Sequence, residues 1–244
     1  MKVPGIQNRR GTQTPHFRRP IYELGQRTFQ VELNELFPDH IDNYFALSTE
    51  YDFYSGKQNV LPYTYLEHAK NDRSEGDDAR GLINAVGNAK RAFHLQVEML
   101  CDAFGWAAVF GRKQANFGVR LDFLAKCGVV SPNILRKLNT TRNKVEHDYV
   151  VPDPVQVDDY IDIVELFLMA TKDLLDRFPK RIEYELMKDE CYDESLDLPE
   201  FVAIEITMIS GGIKLEARNA TLSLALNDPK YFDWLSAVIR HYVL

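Results

Sequence analysis

The apolar residues of this chain repeat on two different periods, and the changeover falls at Pro179. Between residues 77 and 104 they step by threes and fours, through Leu82, Val86, Ala89, Phe93, Val97, Leu100 and Phe104. That spacing turns one face of a long helix into a core. A shorter helix is predicted over 117 to 127, stopped by Gly128, because a residue without a Cβ suits a helix end. Ser131-Pro132 and Asp153-Pro154 each join a capping side chain to a proline whose ring suits the first helical turn. They start two further helices. One runs to about 148 on Ile134, Leu135, Leu138 and Val145, the other over 154 to 177 on Val157, Ile161, Val164, Leu168 and Leu175. Four helices with short links imply a bundle. After Pro179 every second residue is apolar in RIEYELMK (181 to 188), FVAIEITMI (201 to 209), IKLEA (213 to 217) and TLSLAL (221 to 226), the pattern of strands covered on one face. Ser210-Gly211-Gly212 and Arg218-Asn219-Ala220 suit hairpin turns, and Asp228-Pro229 opens a last helix through Trp234, Leu235, Val238 and Ile239.

The expected fold class is therefore mainly α. A four-helix bundle over 77–178 carries a small C-terminal α+β appendage, antiparallel strands plus a helix, over 179–244, with a hinge at Phe178-Pro179-Lys180. Residues 1–76 are expected to lie outside both. Their first 30 or so read as an irregular arm, broken by Pro4, Gly5, Gly11, Pro15 and Pro20. An aromatic-rich region follows, with Phe37, Tyr44, Phe45, Tyr51, Phe53, Tyr54, Tyr63 and Tyr65. It is predicted to hold one or two short helices, with its rings filling a core rather than stacking on bases. Residues 71–78, NDRSEGDD, form a polar loop that ends by capping the next helix.

Composition removes several function classes. At 45% hydrophobic and 27% charged residues the chain lies in the globular range. No run reaches the roughly 18 apolar residues a spanning helix needs, and the N-terminus lacks the apolar stretch of a secretory signal, so no membrane partner and a cytoplasmic location are expected. Cys101, Cys127 and Cys191 are widely separated, with no CxxC and no His cluster nearby. Neither a disulfide framework nor a zinc site is implied, and no metal or cofactor is expected. Phosphate-cradling glycine loops and nucleophile elbows do not occur. The net charge of -7 argues against coating nucleic acid by bulk electrostatics. The first 30 residues nevertheless hold Lys2, Arg9, Arg10, Arg18, Arg19 and Arg27 against Glu23 alone, which leaves both a phosphate-contacting arm and a solvated tail open.

One short run carries chemistry: Arg142-Asn143-Lys144-Val145-Glu146-His147. On a helix, Asn143 and His147 are four apart and share a face, and Arg136 lies seven before Asn143 on nearly the same line. That face is opposite the apolar stripe of Ile134, Leu138 and Val145, so it looks at solvent, a cleft or another subunit. A permanently charged guanidinium, an amide and an imidazole that titrates near neutrality are the minimum set for cleaving an RNA phosphodiester without metal. The combination is expected by chance roughly 0.02 times in a chain of this composition. The other Arg-Asn pair, Arg218-Asn219, has Ser223 where the His would stand. A plainer use also exists, in which His147 meets the last carbonyls of its helix and Arg142 pairs with Glu146. Asp158, Asp159 and Asp162, acids near a helix start, suit the helix dipole and solvation better than paired-carboxylate catalysis.

The segment LRKLNTTRNKVEHDY, preceded by a two-helix stretch and followed by a long helix after a proline-containing break, resembles the signature helix of the HEPN superfamily. The pattern there is Arg, a spacer of four to six residues, then His, often with Asn directly after the Arg. The likeness spans roughly residues 77 to 177. It implies a metal-independent endoribonuclease that dimerises through the motif helix, so that two copies of the motif line one cleft. Carried over, His147 would activate the ribose 2′-hydroxyl or protonate the leaving 5′-oxygen. Arg142 would stabilise charge on the phosphate, and Asn143 would orient either partner. Arg136 and Lys144 are the neighbouring cations expected to bind substrate. Glu146 departs from a purely basic site and can neutralise Arg142. Some HEPN domains are catalytically silent, so the expected endoribonuclease, a toxin or antiviral effector with a neutralising protein partner, stands beside an alternative. That alternative is a silent HEPN module for RNA or nucleotide binding or for dimerisation.

Overall fold

Helix α1 spans Pro62–Ser74 and helix α2 spans Ala79–Ala103 in the computed structural model, which describes residues 36–56, 58–111, 116–129, 151–188, 192–218 and 220–243. The α2 start follows from Asp78, whose carboxylate accepts hydrogen bonds from the Arg80 and Gly81 amides at 2.8 and 3.0 Å and so satisfies two otherwise orphaned donors. Gly81 lets α2 cross α1 closely, since a Cβ there would sit 3.0 Å from the Asp72 carbonyl. Leu82, Val86, Ala89, Phe93, Val97, Leu100 and Phe104 are all buried, as their spacing predicts. Short helix α3 (Trp106–Phe110) and helix α4 (Phe117–Lys126) follow. Helix α5 (Pro154–Thr171) is capped by Asp153, which accepts from the Val155 amide at 2.9 Å. It ends earlier than predicted, and the four-residue α6 (Asp173–Asp176) continues it. Helices α1, α4 and α5 all pack on α2.

Besides two 3-10 turns, Pro38–Asn43 and Glu194–Leu196, the remaining described elements are strands β1 (Tyr44–Asp52), β2 (Phe178–Leu186), β3 (Phe201–Ile206), β4 (Ile213–Ala217) and β5 (Ala220–Leu224), with helix α7 (Tyr231–Val243) after them. The strands form one five-stranded sheet in the order β1-β2-β3-β4-β5, antiparallel at every step. Ile182, Tyr184 and Leu186 of β2, Val202, Ile204 and Ile206 of β3 and Ile213 and Leu215 of β4 are buried, along with Trp234, Leu235, Val238 and Ile239 of α7.

The mainly α class expected from the periodicity is overturned: the fold is mixed, with seven α-helices among the described residues and a five-stranded antiparallel sheet that shares their core. Two observations explain why the sheet is no appendage. First, its edge strand β1 comes from the aromatic-rich region expected to be helical, and pairs with β2 from Tyr44 opposite Leu186 to Asp52 opposite Phe178. Second, one hydrophobic cluster runs without a break from Leu66 and Phe93 through Leu100 and Phe178 to Ile204 and Trp234. Backbone contacts reinforce that junction. The Ile209 amide in the β3–β4 turn donates to the Ala103 carbonyl at 2.8 Å, where Gly105, at φ +87°, leaves the room a Cβ would fill 3.2 Å from the Gly211 nitrogen. Phe178, Pro179 and Lys180, expected as a hinge, are the first residues of β2. All described residues belong to one unit, Glu32–Leu244.

Candidate functional site

Arg142, Asn143 and His147, with Arg136 and Lys144, lie outside the described residues, as does Ser131-Pro132. What is described is the chain on either side. Before them, α4 starts at Asn116, whose side chain accepts from the Val119 amide at 3.0 Å, and closes at Gly128, at φ +82°. A Cβ on Gly128 would sit 2.8 Å from the Ser236 Cα, so this helix end rests on the α7 backbone. After them, buried Pro152 and the Asp153 cap begin α5. The helices flanking the run in sequence therefore both pack on α2.

The facing surfaces of α2, α4 and α5 are aromatic. Phe93 makes edge-on contacts with Phe117 and Phe167 at 5.2 and 5.1 Å between ring centroids, and His94 stacks on Phe117 at 3.8 Å. This agrees with the packed place its position beside the apolar stripe suggests. A buried polar bridge ties α2 to the end of α5: the Gln96 amide donates to the Thr171 hydroxyl at 2.9 Å, which donates to the Phe167 carbonyl at 2.8 Å. Asp158 is held by a two-pronged Arg73 contact at 2.7 and 3.0 Å, and Glu165 by Lys70 at 2.6 Å. Asp158 and Glu165 of α5 thus tie α5 to α1. Burial pushes the Cys101 thiol up to about 12 and raises the Cys127 thiol well above its ordinary value, which leaves two poor nucleophiles. Among the described residues no group of three or more His, Cys, Asp or Glu is placed to hold a metal, and no helix is long and apolar enough to cross a membrane.

Several of the aromatics expected in the core are at the surface instead. Tyr44 is buried, but Phe37, Phe45, Tyr51 and Phe53 are exposed. Two cavities are lined by described residues from other parts of the chain. The smaller, about 460 Å³, separates the 3-10 turn Pro38–Asn43 from α7 and is lined by Asp39, Asp42, Arg240 and His241. The larger, about 670 Å³, opens at the end of the sheet where β2 finishes, β3 begins and the β4–β5 turn folds over. Its floor is Leu186 and Leu198, both 6% exposed. Its walls carry Lys188, Tyr192, Asp197, Glu200, Phe201 and Arg218. The sequence alone suggests only a solvated acidic connection there. Its one local signal is Arg218, in a turn position that favours Gly, Asn or Asp.

Comparison with protein families, with curated proteins and with solved structures finds no match to this chain.

Proposed function

We propose that the protein is a metal-independent endoribonuclease of the HEPN type. The observation that carries this reading is the run Arg142-Asn143-x3-His147, at the end of a predicted helix that falls between α4 and α5. Support comes from the packing of α1, α4 and α5 on α2, the helical setting such a motif needs, and from the Asp153 cap where the helix after the motif was expected to start.

In the proposed reaction the ribose 2′-oxygen attacks the adjacent phosphorus and the bond from phosphorus to the 5′-oxygen breaks. One imidazole takes the 2′-hydroxyl proton, and a protonated imidazole gives a proton to the leaving 5′-oxygen. The ordinary His pKa, about 6.5, suits both tasks. Two protomers would supply the two His147 side chains to one cleft. Arg142 would meet the charge growing on the non-bridging oxygens with its planar fork, and Asn143 would hold His147 or the phosphate by hydrogen bonds. Arg136 and Lys144 would hold flanking phosphates. The products are a 2′,3′-cyclic phosphate and a 5′-hydroxyl. A cytoplasmic toxin or antiviral role with a neutralising partner fits such an activity and belongs to the same proposal.

The test is cleavage of mixed RNA in the presence of EDTA by the parent chain, His147→Ala and Arg142→Ala, with a 2′-deoxy substrate alongside. Cutting by the parent alone, and only of substrate with a 2′-hydroxyl, is the expected result, with a loss of about 100-fold or more in each variant. Equal background in all three proteins would overturn the enzyme and favour a silent RNA-binding or dimerisation module.

A further inference from the structure

The cavity at the end of the sheet combines four features that solvated loops do not need together. Its floor, Leu186 and Leu198, is apolar and buried. Phe201 stands at its wall with 52% of its surface exposed, beside the half-buried Tyr192. Lys188 and the Glu200 carboxylate line it without any ion pair among the described residues, so both are uncommitted. Arg218 is committed, but to position: its guanidinium donates to the Asp197 carboxylate and carbonyl at 3.2 and 3.4 Å.

Arg218 also occupies an unusual backbone state. Strands β4 and β5 end and begin at Ala217 and Ala220, so the hairpin turns in two residues, and Arg218 takes φ +53°. Glycine, asparagine and aspartate adopt that state easily, whereas a long side chain does so at a cost. Asp197, its partner, is also left-handed at φ +43°. Turn formation alone gives no reason for an arginine at this position; its contact with Asp197 does, and that contact holds the guanidinium at the cavity wall.

We propose that this cavity is a nucleotide-binding site, with a base stacked on Phe201 and its phosphate between Lys188 and Arg218. Stacking on an exposed ring accepts any base, and a cation pair beside it fixes the phosphate. At about 670 Å³ the space lies within the range that small-molecule sites occupy. Glu200 faces the same space and accepts hydrogen bonds only, so it suits a donating base edge, while the larger ring system of adenine stacks on Phe201 more strongly than uracil does. The ligand is either a free mononucleotide or one unit of an RNA strand. The inference rests on this cavity and not on the motif helix, so it stands or falls separately from the nuclease reading.

The experiment is isothermal titration calorimetry of the full chain with AMP, UMP, adenosine and inorganic phosphate, and with a 2′-O-methyl oligoadenylate that cannot be cleaved through its 2′-oxygen. The parent is expected to bind AMP at one site per chain, more tightly than UMP, adenosine or phosphate. Phe201→Ala and Lys188→Ala should each weaken AMP at least about fivefold. Arg218→Asn should weaken it similarly while raising the melting temperature, because asparagine relaxes the turn. That opposite movement separates a binding role from a structural one. Tight binding of the oligonucleotide with weak AMP identifies RNA as the source, and the reverse identifies a free nucleotide. Failure of both to bind, or affinities unchanged in Phe201→Ala and Lys188→Ala, overturns the proposal.

Discussion

Gly128 shows how one missing methyl group can hold two elements together. Its φ of +82° already disfavours any other residue, and a Cβ would come within 2.8 Å of both the Ser236 Cα and its carbonyl oxygen. Neither of those is a flexible side-chain end that could swing away. Gly128→Ala should therefore cost about 2 kcal/mol or more, from left-handed strain plus the displacement of α7 from the end of α4. Urea unfolding measures it, and a loss under about 0.5 kcal/mol would contradict the close approach. The glycine was legible in the sequence as a helix stop. Its second role was not, because Ser236 lies far along the chain.

The joint between α2 and α5 makes a comparable case between two elements. Gln96 is 3% exposed and Thr171 1%, and the Gln96 amide donates to the Thr171 hydroxyl. Thr171→Val removes the acceptor but keeps the shape, leaving a buried amide donor unpaired, so a loss of about 1–3 kcal/mol is expected. The double variant Gln96→Leu with Thr171→Val should recover part of that loss, since two apolar groups ask for no partner. A double-mutant cycle by chemical denaturation checks it, and strict additivity would sink the account. The helices themselves were readable beforehand because their caps and apolar spacing are local properties. Strand β1 was not. Tyr44 alone among its nine residues is buried, so no two-residue alternation marks it, and register shifts interrupt its pairing with β2.

Across the whole molecule the shared core holds ionisable groups that are stable only in their neutral form. Burial raises the hydroxyl pKa of Tyr44, Tyr184 and Tyr231, pushes Tyr242 up to about 12, and does the same to the Cys101 thiol. For each of these groups the folded chain keeps its proton at a pH where the unfolded chain has lost it. Their contribution is therefore complete below the ordinary thiol and phenol values, about 8.5 and about 10, and is lost as pH rises through the folded values. The urea midpoint should fall between about pH 8 and about pH 11, in step with exposure of tyrosinate absorbance near the unfolding transition. A flat midpoint across that range would mean these groups already meet solvent. Because Tyr44 and Tyr184 sit in the sheet while Cys101 sits in α2, helices and sheet should unfold together, as one hydrophobic cluster requires.

The starts of α2, α4 and α5, the tail strands and the Arg142-Asn143-x3-His147 run could all be read from the chain order alone. Each depends on spacing within a few residues: a cap, a turn, a period of 3.6 or of two. The membership of β1 in the sheet, the fusion of sheet and helices into one core, and the cavity that unites Lys188, Phe201 and Arg218 came from folding. Those features join residues tens to more than a hundred positions apart. Such pairings are selected by the burial and hydrogen bonding of the assembled whole, and no short window of sequence carries them.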